Sequence, residues 1–214
     1  MASEMNKATA FPPRTVAEYA EAIAAHTPVP GGGSVVGVVG ALAAALGEMV
    51  CQFTAGKKFA SEHESDLATA LNELRPIRAR LLQSAADDEN AYEIYSVAVG
   101  LPKQTESEKQ ERRAALDRAL YGAAAVPLSV AETCIRMLEA LAPVANFGNR
   151  ALLSDAAVAS LLAEAALRGA VVNVTVNARL MKNGRGDELI ETAKKLEQTG
   201  RAKAAALLNA IDSW

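Results

Sequence analysis

Aromatic side chains are scarce in this chain, at 4% of 214 residues, while half of all residues are hydrophobic. A core must therefore be assembled from small and aliphatic side chains, and there is enough of them to exclude a disordered polypeptide. Cysteine is almost missing too. Cys51 and Cys134 stand far apart, which excludes a disulfide framework and predicts reduced, buried thiols in a cytoplasmic protein. Neither sign of charge dominates: 22 Lys and Arg face 25 Asp and Glu, for a formal net charge of −3. No basic field for nucleic acid exists. The first ten residues hold no apolar stretch of the kind a signal peptide needs, so residues 1–13 read as a flexible tail and 14–214 as one domain.

Strand-like alternation bounded by hairpin turns is also nearly absent, whereas alanine and helical periodicity occur almost throughout. Thr15 with Glu18 forms a capping-box pattern that opens a short helix ending near Ala25. Ser34 is positioned to cap a glycine-rich helix running to about Thr54. The apolar stripe Leu67, Leu71, Leu74, Leu81, Ala85, Tyr92, Tyr95 and Val99 predicts a long amphipathic helix over about 62–99, kinked near Pro76. Gly100-Leu101-Pro102 breaks it. Thr105 and Glu108 then cap a helix to about Leu141, with Pro127 expected to kink or interrupt it and 143–149 expected to turn. A largely apolar helix capped by Ser154 or Asp155 extends to Lys182, Asn183-Gly184 closes it, and a last helix runs from Asp187 toward Trp214. The fold class is all-α, a bundle of five or six long helices.

Residues 35–53 carry one charge, Glu48, and small-residue spacing at Gly33, Gly37, Gly40 and Gly47, features shared with membrane helices. The run is rich in Ala and Gly, is interrupted, and has no evident second span beside it. A central buried helix is the expectation, with a subunit interface as the alternative way of covering it.

Few residues offer chemistry. Steps of seven from Leu74 through Leu81 to Tyr95 place Asp88 on the buried stripe, where desolvation would raise its pKa and suit it to general acid–base work. A buried aspartate satisfied by hydrogen bonds is the structural alternative. Asp87 and Glu89 project to the sides as solvated charges. Gly31, Gly32, Gly33 and Ser34 lead straight into a helix, so free N–H groups and the positive end of the helix dipole would favour an anionic ligand group; close packing is the competing use of those glycines. The loop is not a Walker A motif, because no Lys follows at the required spacing. Lys57 and Lys58 complement the far end of the same helix. Lys103 sits in a proline-stiffened loop. Asn173 and Asn177, at i and i+4, form one polar strip that faces a partner helix or a ligand. Asn149 and Asp155 read as turn and cap residues. His26 and His63 lie apart from each other and from both cysteines, with no zinc spacing, so no metal is expected.

In order and spacing, Thr27-Pro28-Val29-Pro30-Gly31-Gly32-Gly33-Ser34, Gly56-Lys57-Lys58, Asp87-Asp88 with Ala91-Tyr92, Leu101-Pro102-Lys103, Val126-Pro127-Leu128, Gly148-Asn149, Ser154-Asp155 and Asn173-Val174 with Asn177 resemble the formimidoyltetrahydrofolate cyclodeaminase and methenyltetrahydrofolate cyclohydrolase family. The resemblance covers most of the chain. It implies a helical homodimer acting on a tetrahydrofolate derivative, with no other cofactor, Asp88 as catalytic residue, and Gly32, Gly33, Ser34, Lys57, Lys58, Tyr92, Lys103, Asn149, Asp155, Asn173 and Asn177 as substrate-binding candidates.

The adjacent Asp87-Asp88 pair resembles stand-alone cyclohydrolases more than the bifunctional enzyme, and these residues include no formiminotransferase portion. Hydrolysis of 5,10-methenyltetrahydrofolate is therefore the expected reaction. Cyclodeamination of 5-formimidoyltetrahydrofolate is the alternative, and a non-catalytic folate-binding or structural dimer is the third reading. Two departures from the family pattern bear on substrate preference: Val36 to Val39 is bulkier, and Phe59-Ala60 follows the lysines.

Overall fold

A computed structural model describes residues 15–181 and 184–213; the expected tail, Lys182, Asn183 and Trp214 lie outside the described residues, and the apolar helix expected to reach Lys182 ends at Arg179. Within them are six α-helices and no strand: α1 (Val16–Ala24), α2 (Gly32–Thr54), α3 (Glu64–Gly100), α4 (Glu106–Phe147), α5 (Leu153–Arg179) and α6 (Arg185–Asp212). Short 3₁₀ turns at Lys58–His63 and Arg150–Leu152 join α2 to α3 and α4 to α5.

Both capping boxes form, at Thr15 with Glu18 and at Thr105 with Glu108. Ser34 is not a cap. The N-cap is Gly31, so Ser34 lies in the first turn of α2 with its backbone N–H still free of the helix ladder. Neither Ser154 nor Asp155 caps α5, because the 3₁₀ turn ends at Leu152 and Leu152 is the N-cap. Asn149 does the capping one turn earlier, its side-chain oxygen accepting the Ala151 N–H at 3.0 Å.

Pro127 does not interrupt α4, and 143–149 is not a turn. The helix runs unbroken through Pro127 and Pro143 to Phe147. A proline in a helix leaves the carbonyl four residues earlier without its donor. For Pro127 that carbonyl belongs to Ala123, and the Asn177 side-chain amide donates to it across the helix interface at 2.8 Å. Tertiary contact thus replaces the bond that proline removes.

The bundle packs α2 against α3 and α5, while α4 lies against α3, α5 and α6. Small residues set how close the helices come. A Cβ on Gly37 would lie 2.7 Å from the Leu81 carbonyl, and one on Gly47 would lie 2.6 Å from Leu141. Leu74, Leu81, Met137, Leu138, Leu141 and Leu167 fill the centre. Glu48, the charge inside the apolar run, is buried and receives Arg78 Nε at 2.6 Å. Among the described residues two helical segments, α2 and Arg150–Arg179, are long and apolar enough to cross a membrane. The second was not apparent from sequence, because Arg168 and Glu164 divide it into short apolar runs.

Candidate active site

The Asp88 carboxyl reaches from α3 to the first turn of α2. There the free Ser34 backbone N–H donates to it, so a side chain from another helix supplies the missing acceptor. Gly33 makes this approach feasible, since a Cβ at that position would overlap the Asp88 carboxylate. Burial raises the Asp88 pKa above the usual aspartate range; the Ser34 N–H opposes the shift, and the charge of Glu89 adds to it. A carboxyl held this way can take and return protons closer to neutrality.

Neither neighbour is a plain solvated charge. Asp87 pairs with Arg80 Nη1 at 2.7 Å and accepts from Gln83 at 3.0 Å. Glu89 is half-buried, and its Oε1 is enclosed with no hydrogen-bond partner. Both partners of Asp87 lie on α3 itself, one and two turns earlier.

Asn173 joins this cluster from α5. A Cβ on Gly32 would stand 3.9 Å from its amide, whose nitrogen donates to the Gly169 carbonyl at 2.9 Å. Asn177 lies one turn further along α5, with its amide nitrogen committed to Ala123. Tyr92, a turn beyond Asp88 on α3, is 39% exposed, and its ring lies 6.4 Å from that of Tyr95. Sequence reasoning passed over Tyr19, whose hydroxyl lies 2.8 Å from the buried Ser34 Oγ. Its signal was a hydroxyl on the last helix before the glycine turn.

The remaining candidates are elsewhere. Ser34 and Thr54 are separated by twenty residues of α2, or about 30 Å at 1.5 Å per residue. Lys57 and Lys58 follow Thr54 and line a small cleft of about 200 Å³ with Cys51, Glu64 and Leu71. Asn149 donates its backbone N–H to Thr54 Oγ1 at 2.9 Å, and Asp155 follows in the first turn of α5, at that same far end. Lys103 borders a separate cavity with the first turns of α4. The structure therefore gathers Gly32, Gly33, Ser34, Asp88, Tyr92 and Asn173 at one end of α2, sets Asn177 beside them, and leaves the others apart. Among the described residues no three His, Cys, Asp or Glu side chains gather as metal ligands. Burial pushes the thiols of Cys51 and Cys134 up to about 11 and about 12, which keeps them protonated.

The formiminotransferase-cyclodeaminase family model matches residues 15–199. The chain belongs to this family. It is 38% identical over 195 residues to the methenyltetrahydrofolate cyclohydrolase of Methylorubrum extorquens, covering 91% of this chain and 92% of that protein. Similarity to the formimidoyltransferase-cyclodeaminase of Mus musculus is 33% over 196 residues, again 91% of this chain but 36% of that protein. This family member thus spans about a third of the length of its bifunctional relative. The crystal structure of formiminotetrahydrofolate cyclodeaminase from Thermotoga maritima superposes with a TM-score of 0.83 at 29% identity, covering 94% of this chain and 96% of that one.

Proposed function

We propose that the protein is a cytoplasmic folate one-carbon enzyme that hydrolyses 5,10-methenyltetrahydrofolate to 10-formyltetrahydrofolate without a further cofactor. The observation that carries this reading is the Asp88 carboxyl, raised in pKa and aimed at the free first turn of α2. Water attacks the methenyl carbon while Asp88 takes one of its protons. The resulting tetrahedral carbon carries a hydroxyl. As the bond to N5 breaks, Asp88 returns its proton to N5, the hydroxyl proton leaves to solvent, and the formyl group remains on N10. Before attack, the Asp88 carboxylate also favours the cationic methenyl centre electrostatically. Gly32, Gly33, Ser34, Tyr92 and Asn173 border the space in which the substrate sits, and Asn177 supports that wall. Identity of 38% to a cyclohydrolase, against 29% to a cyclodeaminase matched over a similar share of both chains, supports this reaction over cyclodeamination.

The working form is a soluble homodimer. α2 and α5 each leave an outward apolar stripe uncovered, with Leu42, Phe53, Val172 and Val176 all more than half exposed. A second copy covers such stripes without a membrane, and the pair of buried Glu48 with the partly exposed Arg78 favours the aqueous alternative. Lys57, Lys58, Asn149 and Asp155 can contact substrate only if that copy brings its far end to the Asp88 cluster.

Purified protein is mixed separately with 5,10-methenyltetrahydrofolate and 5-formimidoyltetrahydrofolate while the methenyl chromophore and ammonia release are followed. Loss of the chromophore from the first substrate, without comparable ammonia release from the second, is expected. Equal rates for wild type and Asp88→Asn would remove the assignment.

A further inference from the structure

The first turn of α2 carries the Asp88 contact but has few means of its own to hold still. Its N-cap, Gly31, makes no side-chain capping bond, and its first two helical residues are Gly32 and Gly33. Glycine brings no side chain to pack and loses the most backbone freedom on ordering. Gly33 cannot give way to a residue that packs, because a Cβ there would overlap the Asp88 carboxylate. The first side chain of the helix is therefore that of Ser34, which is fully buried. Its backbone N–H donates to Asp88, and its hydroxyl lies 2.8 Å from that of Tyr19.

Tyr19 comes from α1, a helix whose place in the molecule the core does not explain. Its capping box starts it, yet none of its nine residues is buried, and only Tyr19 and Ala22 are half-buried. A helix this short has little stability of its own, so its docking depends on what its inner face touches. That face presents a hydroxyl to a serine whose other polar group holds the reacting carboxyl. We propose that Tyr19 is a positioning residue for the hydrolysis: through Ser34 Oγ it fixes the first turn of α2, and the Ser34 N–H, fixed in turn, sets where the Asp88 carboxyl points. The inference rests on the folate reading above and extends the reacting group's support to a helix outside the core. Three side chains on three helices then act in series, α1 on α2 and α2 on α3. A base misplaced by about 1 Å can lose about 10²-fold in rate, so a single hydrogen bond in this series is worth reading in kinetics.

Tyr19→Phe keeps the ring and removes only the hydroxyl. Its kcat with 5,10-methenyltetrahydrofolate is expected to fall about tenfold with KM nearly unchanged, since a misplaced base costs rate and not affinity. In the Asp88→Asn background the same substitution is expected to cost nothing further, because the proton acceptor it positions is already gone. A merely structural hydroxyl would lower the melting temperature and act equally in both backgrounds. Hydrogen exchange at the Ser34 amide reads the clamp without substrate: exchange about fivefold faster in Tyr19→Phe is expected, with the middle of α2 unchanged. Unchanged exchange at Ser34, an unchanged kcat, or equal losses of rate in the two backgrounds overturns the proposal. Faster exchange at Ser34 in a protein whose wild type hydrolyses no methenyl substrate supports the clamp and overturns the hydrolase reading instead.

Discussion

Asp88, on α3, accepts the backbone N–H of Ser34, in the first turn of α2, and so serves as an acceptor for a helix to which it does not belong. The same carboxyl is the one proposed to move protons. Asp88→Asn keeps the shape and one acceptor oxygen, so the fold is expected to persist while kcat falls by roughly 10² to 10⁴, the usual worth of a positioned base. Chromophore loss with 5,10-methenyltetrahydrofolate measures it.

The raised pKa of Asp88 has opposite consequences for activity and stability. Activity needs the carboxylate, so kcat is expected to fall on the acid side with a midpoint above the ordinary aspartate range. Stability goes the other way. An acid whose folded pKa exceeds its unfolded one contributes most below the unfolded value and loses that contribution as pH rises through the folded value. Asp88→Asn is therefore expected to melt higher than wild type near neutrality, with the difference shrinking on acidification. A variant that melts lower than wild type at neutral pH would show that the charge is better solvated than its burial indicates.

Gly33→Ala tests the close approach directly. The added methyl would overlap the Asp88 carboxylate, which must then rotate away. A displacement of that size is expected to lower kcat about 10²-fold. Gly122→Ala is the control: nothing lies within 4 Å of its would-be methyl on α4, so it is expected to stabilise the protein by about 0.5–1 kcal/mol. Paired thermal melts and rates separate the two effects.

The bond from Asn177 to Ala123 predicts a coupled pair of substitutions. Asn177→Ala leaves the Ala123 carbonyl without a donor and is expected to cost about 1–3 kcal/mol. Pro127→Ala restores a backbone N–H to that carbonyl, so in its background the Asn177 substitution should cost less. Denaturant titration of the four proteins gives the coupling energy, and strict additivity would mean the carbonyl finds another partner.

Glu48 has its partner on α3 and little access to water. Arg78→Ala leaves that carboxylate buried and uncompensated, with an expected loss of about 1–3 kcal/mol once the partial exposure of Arg78 is discounted. Arg78→Ala/Glu48→Gln should recover part of it in equilibrium unfolding.

Periodicity and capping chemistry are local, and they located all six helices, both capping boxes and a stripe that is largely buried from Leu67 to Ala85 and half-buried at Asp88, while its expected continuation at Tyr92 and Val99 is exposed. Resemblance carried by ordered short motifs reached the family. What local rules misjudged was decided at contacts between helices. Ser34 looks like a cap, but Gly31 takes that place and Asp88, fifty-four positions later, receives the Ser34 N–H. Pro127 looks like a break, yet α4 continues because a side chain fifty positions away meets the freed carbonyl. Glu89 looks solvated, yet one of its carboxylate oxygens is enclosed. Lys57, Lys58, Asn149 and Asp155 read as parts of one site in a linear motif list, but α2 holds them about 30 Å from Ser34. Sequence alone determined which segments are helical, apart from 143–147, and most of the faces they bury, since those follow from spacing. Only the tertiary structure decided which N–H, carbonyl and carboxylate groups find each other, because those partners are set by the packing of whole helices.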